Sequence, residues 1–342
     1  MKKLTRMFLI AMTVFAVSCD SNDDLIDDIL GDEDIELMVT DKTSKSVTVF
    51  VSDLEAGATS FNALVDFTST DASMRRLYIT ENYFGAGDEP YDLTASAGFT
   101  GLDTKLDGSI DLERDYKEGF SFDIPFKVYD TETTGKVVYT LWATSGRGDF
   151  RDTDKRLAVG LGTITVDYGG NNPATDVKEY TTKLFYAPLG DGSSETFISM
   201  LDGQLYQISE GEEYAAFWDF GYYYGGQSMA SFASTADYPQ LFDHDNDANT
   251  PLVDVATLVG IPDSELNEVF FSLSDMDFAA VTKSSDLDGI VASTEQRING
   301  LVADNVVEFV DSYGKKGLIQ VVKVQGTFNQ GDYIEVNIKV QP

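Results

Sequence analysis

The chain has 342 residues, and 24 basic against 58 acidic side chains give it a net charge of −34. That balance argues against a nucleic-acid partner, because phosphate-backbone binding needs clustered Lys and Arg, and an acidic surplus repels it. An apolar fraction of 42% with 12% aromatic residues belongs to a folded protein rather than an acidic tail, and one Cys and one His exclude an intrachain disulfide and a multi-histidine zinc site.

The first element is an apolar run, Met7 to Val17, behind Lys2, Lys3 and Arg6 and closed by Ala16-Val17-Ser18-Cys19. It is far shorter than the roughly 20 residues a membrane-spanning helix needs. The pattern predicts a signal peptide over 1–18, with Cys19 as the lipid attachment site. These residues resemble the signal sequences of Bacteroidota lipoproteins, in which the lipobox cysteine carries acyl chains. The resemblance implies lipid anchoring in the outer membrane, and the acidic tract Asp20-Ser21-Asn22-Asp23-Asp24 with Asp27-Asp28 implies display on its outer face. The alternative for the tract is a solvated linker over 19–34. Several acyl chains at about 0.8 kcal/mol per buried methylene anchor stably without a transmembrane helix. Removing Lys2, Lys3 and Arg6 leaves 21 basic against 58 acidic residues, a net of −37, which makes divalent cations natural counterions.

From 35 to 168 the chain alternates short β-type runs with Gly, Asp and Ser turns: Ile35 to Thr40, Val47 to Ser52, Phe61 to Phe67, Leu77 to Thr80, Phe120 to Val128, Val137 to Ala143 and Gly162 to Val166. Runs at this spacing predict an antiparallel sandwich. Val47, Val49 and Val51 share one face of their strand by the period of two. The run Tyr139-Thr140-Leu141-Trp142-Ala143 before Thr144-Ser145-Gly146 resembles the F strand of fibronectin type III and related immunoglobulin-like domains. Tyr139, Leu141 and Ala143 then point inward, and Trp142 faces the other side as an exposed or loop-covered aromatic. Arg147-Gly148-Asp149 falls in the following loop, where a fibronectin-type module can present such a tripeptide, but a tripeptide match is cheap and a plain surface pairing of Arg147 with nearby acids is the favoured reading.

Gly169-Gly170-Asn171-Asn172-Pro173 cannot continue a strand, and we place a linker at 169–177. The region 178–342 opens with a strand over Tyr180 to Tyr186 and a turn at Gly190-Asp191-Gly192. It closes with Val306 to Val310, Leu318 to Val324 and Tyr333 to Val340, a three-stranded meander. Between them, Val253 to Val259, Ser264 to Phe271 and a piece after Ser293 read as short helices, with a capping-box spacing from Ser293 to Gln296 and a helix entrance at Pro262. The expected fold class is therefore mostly β: an amino-terminal immunoglobulin-like antiparallel sandwich followed by a second β-rich domain with a few short helices. Through Asp219-Phe220-Gly221-Tyr222-Tyr223-Tyr224, Ala230-Ser231-Phe232-Ala233-Ser234 and Gly317-Leu318-Ile319, this second region is similar to the carboxy-terminal part of Bacteroidota surface lipoproteins. That likeness implies a location and an architecture but no activity.

Two segments are candidate sites. Asp243-His244-Asp245-Asn246-Asp247-Ala248-Asn249 sets oxygen side chains at alternate positions, as a calcium loop does, with Asp254 at the twelfth position. It departs from the EF-hand pattern at the sixth position, where Ala248 replaces Gly, and at the twelfth, where Asp254 replaces Glu. The calcium ligands would be Asp243, Asp245, Asp247, Asn249 and Asp254, and the alternative is a solvated loop; no other cofactor is expected. In Phe217 to Tyr224 a strand puts Trp218, Phe220, Tyr222 and Tyr224 on one face. Such a row serves either as core or as a platform on which Trp218, Tyr222 and Tyr224 stack a sugar. Acid pairs such as Asp275 with Asp277 and Glu212 with Glu213 could support carboxylate-dependent hydrolysis, but no nucleophile elbow, phosphate-cradling loop or HExxH helix accompanies them. The expected function is a non-enzymatic, lipid-anchored surface module for a glycan, peptide or protein partner, accessory to an outer-membrane transporter. An extracellular polysaccharide hydrolase and a structural envelope protein are the alternatives.

Overall fold

The computed structural model describes residues 35–93, 103–112, 116–146, 151, 156, 159–242, 249, 251–326 and 331–342. In chain order the first half carries β1 (Ile35–Thr40), β2 (Thr43–Phe50), β3 (Ser60–Thr68), β4 (Arg76–Tyr83), β5 (Asp88–Pro90), β6 (Ile110–Asp111), β7 (Gly119–Lys127), β8 (Lys136–Thr144) and β9 (Gly160–Asp167). They form two facing sheets, one ordered β1-β3-β7 and the other β2-β9-β8-β4-β5. The chain changes sheets at Asp41 and Lys42, both in the left-handed region (φ 21° and 58°). Asp41 braces that turn by accepting from the Thr70 backbone N–H at 2.7 Å and its hydroxyl at 2.9 Å. As a result β1 pairs parallel with β3, and β2 parallel with β9, so these sheets are mixed rather than wholly antiparallel.

Leu77, Ile79, Tyr139, Leu141 and Ala143 point between the two sheets, into a core with Phe67, Phe126 and Ile164. The expected inward set of β8 is thus observed, as is Val49, whereas Val51 has left its strand and begins a 3-10 turn. Trp142 corrects the expectation of an exposed or loop-covered aromatic. It is completely buried, stacked on Tyr78 at 5.4 Å between ring centroids and 8° between planes, in a cluster shared with Phe197, Tyr206, Phe217 and Trp218 of the second half. The sheet carrying β4 and β8 is therefore covered on both faces. This accounts for the unbroken buried stretch Arg76 to Thr80, since a doubly covered strand loses its apolar/polar alternation.

The second half contributes β10 (Lys178–Tyr186), β11 (Glu195–Ile198), β12 (Leu205–Gln207), β13 (Phe220–Gly225), β14 (Met229–Ser234), β15 (Val269–Leu273), β16 (Arg297–Ile298), β17 (Val306–Asp311), β18 (Lys316–Gln325) and β19 (Tyr333–Val340), with one short α-helix among the described residues, α1 (Val255–Val259). One sheet runs β10-β19-β18-β17-β15 and the other β12-β11-β13-β14-β16. The expected meander is present as β17-β18-β19, antiparallel throughout. Phe185, Phe220, Phe232, Phe309 and Ile338 fill the space between the sheets. Lys339 is buried and donates to the carbonyls of Phe278 (3.1 Å) and Val281 (2.8 Å), stapling the 278–290 segment over the outer apolar face of β17 and β18. The expected helix over Ser264 to Phe271 is instead a 3-10 turn, Asp263–Glu265, followed by β15. No helix follows Ser293, whose hydroxyl donates to Phe271 O and accepts from Glu295 N. The two halves pack into one compact unit, and the protein is mostly β. Among the described residues no helix is long and apolar enough to cross a membrane.

Candidate functional site

Several buried or half-buried charges lie where the two halves meet. Glu213 takes both Arg75, at 3.0 Å, and the almost fully buried Arg76. Tyr214 accepts from the Leu106 backbone N–H, and Lys178 reaches Glu89 at 3.2 Å and donates to Leu201 O at 2.8 Å. Asp219 is inaccessible to solvent; its Oδ2 accepts from Arg151 at 2.9 Å and from the Met200 N–H at 2.5 Å. Burial pushes its carboxyl up to about 6 against the pull of Arg151, and neighbouring Asp311 adds to the rise. Burial raises Asp311 and Asp202 as well. The Arg151 guanidinium also covers the Tyr313 ring at 4.5 Å.

A glycosidase needs two carboxylates reachable from a cleft on either side of the scissile bond. Asp219 and Asp311 are both buried, and burial is the largest cause of their raised pKa values. One member of each acid pair singled out in the sequence is in structural use: Glu213 binds the two arginines, and Asp277 caps a 3-10 turn by accepting from Ala279 N.

Two accessible concavities lie at one loop end of the second half. The first is a groove of ≈ 290 Å³ bordered by Tyr186, Leu189, Ser194, Glu195, Gln207 and Asp332. The turn at Gly190 to Gly192 shapes it, closed by a bond from Gly192 N to Leu189 O at 2.9 Å and by Asp191 accepting from the Ser193 N–H and hydroxyl. Tyr186 stands at the end of β10, opposite Tyr333 of β19, with 6.0 Å between ring centroids. The second groove, of ≈ 300 Å³, is apolar and bordered by Tyr224, Met229, Leu301, Val302 and Val324. Met229 and Val302 are exposed. Gly326 ties the two together: a Cβ there would meet the Tyr224 ring at 2.7 Å and Asp332 Oδ1 at 2.8 Å. Only glycine lets the chain pass between the walls of both grooves at that distance.

Of the aromatic row, only Tyr224 reaches a groove. Trp218 precedes β13 and lies flat on Phe197 (4.9 Å, 1°) in the cluster between the halves, whereas Phe220 and Tyr222 belong to the core between the sheets of the second half. The expected common face of Trp218, Phe220, Tyr222 and Tyr224 is thus not formed, because the strand begins only at Phe220. Trp218 and Tyr222 are fully buried and offer no ring face for stacking. Tyr222 does touch the grooves' surroundings electrostatically: burial, then Asp332 and Tyr224, raise its pKa, and its hydroxyl has no hydrogen-bond partner among the described residues.

Asp254 caps α1, accepting from Thr257 N at 2.7 Å, and Asn249 is exposed. Asp243, Asp245 and Asp247, like Cys19 and Arg147-Gly148-Asp149, lie outside the described residues. Among the described residues there is no cluster of three or more His, Cys, Asp or Glu side chains able to hold a metal.

No family model matches the chain, and no curated protein does. Among solved structures it is similar to a DUF4466 family protein from Parabacteroides merdae ATCC 43184, at 12% sequence identity over 82% of this chain and 92% of that one, with a TM-score of 0.35. At that distance the likeness carries no argument about fold or function.

Proposed function

We propose that the protein is a lipid-anchored, surface-displayed binding module without enzymatic activity, which engages a partner through the loop end of its second half. The observation that carries this reading is the pair of adjoining open grooves, formed by the chain segments at 186–195, 224–230, 300–303 and 331–332. Binding surfaces favour loops positioned on a rigid scaffold, and the ion pairs and stacked rings between the halves supply one. The exposed Leu189, Met229 and Val302 are apolar groups of the kind that a partner buries. The lipid at Cys19, the outer-membrane location and a transporter partner belong to the same proposal and rest on the sequence of the leader.

The test is co-isolation from mildly solubilised outer membranes, with the wild-type protein compared with a Leu189→Asp, Met229→Asp double variant of equal melting temperature. A partner at near-equal amount that the double variant loses supports the reading. Retention of every associated protein by the variant would remove the loop end from it.

A further inference from the structure

The ≈ 290 Å³ groove has a chemistry of its own. Among the described residues its border includes two carboxylates, Glu195 and Asp332, and no Lys or Arg. Glu195 is exposed, and its carboxylate has no hydrogen-bond or ion-pair partner among the described residues. Glu210, whose carboxylate accepts from the Gln207 N–H at 2.8 Å, feels Glu195 as a like charge that adds to the effect of its own burial. The rest of the border sets an apolar patch of Ala187, Leu189 and the half-buried Tyr186 ring beside the neutral polar Ser193, Ser194 and Gln207.

A ligand that satisfies this wall needs an apolar stem and a cationic head. An anionic group is repelled by Glu195 and by the whole chain's net charge of −34. A neutral polyol leaves the lone carboxylate without a counter-charge. A lysine side chain meets each demand: its four-carbon stem lies on apolar surface while the ammonium reaches a carboxylate or the face of an aromatic ring. At ≈ 290 Å³ the groove sits at the small end of the usual range for ligand sites, about 300–1,000 Å³, which suits one side chain rather than a large molecule. We infer that this groove takes a lysine side chain from a basic peptide or protein partner, with Glu195 as the counter-ion and Tyr186 and Leu189 as the walls. This inference rests on the reading of the loop end as a binding surface and names the chemistry of its partner.

The experiment uses ligand-observed NMR titration of the full lipid-free chain with the peptide acetyl-Gly-Leu-Lys-Leu-Gly-amide, its Nε-acetyl-lysine form, and maltose. The expected result is binding of the first peptide, weakened about tenfold by lysine acetylation or by Glu195→Gln, a loss equivalent to about 1.4 kcal/mol. Affinity should also fall as salt rises from about 0.01 M to about 0.1 M, where the screening length shrinks from about 30 to about 10 Å. Val291→Ala, exposed on the segment covering the outer sheet and away from both grooves, should leave peptide binding unchanged. Glu195 is exposed and Glu195→Gln conserves its shape, so loss of binding by that variant would not reflect unfolding. Equal binding of the acetylated peptide, indifference to Glu195→Gln, preferential binding of maltose, or no peptide binding would each overturn the lysine assignment. If the co-isolated partner is still lost from the Leu189→Asp, Met229→Asp variant in that case, the loop end remains the binding surface and only its chemistry was misassigned.

Discussion

Replacing Trp142 by Ala tests whether the two halves are truly one packed body. The indole is fully buried, lies parallel to Tyr78 at 5.4 Å, and carries the Arg156 guanidinium over its other face at 4.7 Å. Truncating a buried Trp or Phe to Ala costs about 3–5 kcal/mol, because the transfer energy is lost and a cavity remains. An exposed aromatic at the same position would cost no more than about 0.5 kcal/mol. For a chain of this size about 1 kcal/mol corresponds to roughly 2 °C, so Trp142→Ala should lower the melting temperature by roughly 6–10 °C. Trp142→Phe, which keeps a flat ring against Tyr78, should recover most of the loss. Urea unfolding followed by circular dichroism gives the free energy directly, and iodide quenching of the wild type should find both indoles shielded. A loss below about 1 kcal/mol, or strong quenching of one indole, would refute the doubly covered sheet.

Other expected outcomes follow from individual contacts. Asp219 has a native pKa of about 6 against about 3.9 unfolded, so its contribution is fully present below about pH 3.9 and is lost as pH rises through 6, a swing of about 3 kcal/mol. The stability difference between wild type and Asp219→Asn should therefore fall between pH 4 and pH 7, and a flat difference would refute the raised pKa. Asp254→Ala removes the cap of α1 and should cost about 1 kcal/mol by urea unfolding. If the segment from Asp243 to Asn249 holds calcium, saturation to about 100 times the dissociation constant should add about 2.7 kcal/mol; an unchanged melting temperature removes calcium from the account. Gly326→Ala, whose Cβ would meet Tyr224 and Asp332 Oδ1 within 3 Å, should cost about 1–3 kcal/mol by overpacking. It should also weaken partner binding at both grooves in the co-isolation assay.

Period-two patterning carried the architecture because it reports which residues share a face. Tyr139, Leu141 and Ala143 fell inward as the alternation demands, and the β17-β18-β19 meander was legible from β-branched runs and glycine turns. The same patterning could not say what covers the opposite face. Trp142 and Tyr78 are buried in a cluster with Phe197, Tyr206, Phe217 and Trp218, more than fifty residues further along the chain. The helix expected through Phe271 failed for another reason: a short apolar run such as Val269 to Leu273 has no periodicity that separates strand from helix, and pairing with β17 decided it. Ser293 and Gln296 had the spacing of a capping box, but Ser293 spends its hydroxyl on the 271 and 295 backbone instead.

The grooves were legible only in their parts. Part of the first groove's rim stood out where Gly190 and Gly192 punctuate the chain beside Leu189 and Ser193. The convergence of its walls did not, because Tyr186, Gln207 and Asp332 are brought together by strand pairings that no local pattern records. In the aromatic row, alternation relative to Tyr222 held for Tyr224 but not for Trp218, which lies before the strand and answers to the 3-10 turn at Ala215–Phe217.

The most direct measurement is photo-crosslinking in living cells, with a photoreactive residue placed in turn at Leu189 in the first groove, Val302 in the second, and Val291 on the segment covering the outer sheet. All three are exposed, so the substitutions leave the core intact. Crosslinks to a common partner at Leu189 or Val302, with none at Val291, are what a binding module acting through its loop end predicts. Crosslinking at Val291 alone, or at none of the three, would contradict it.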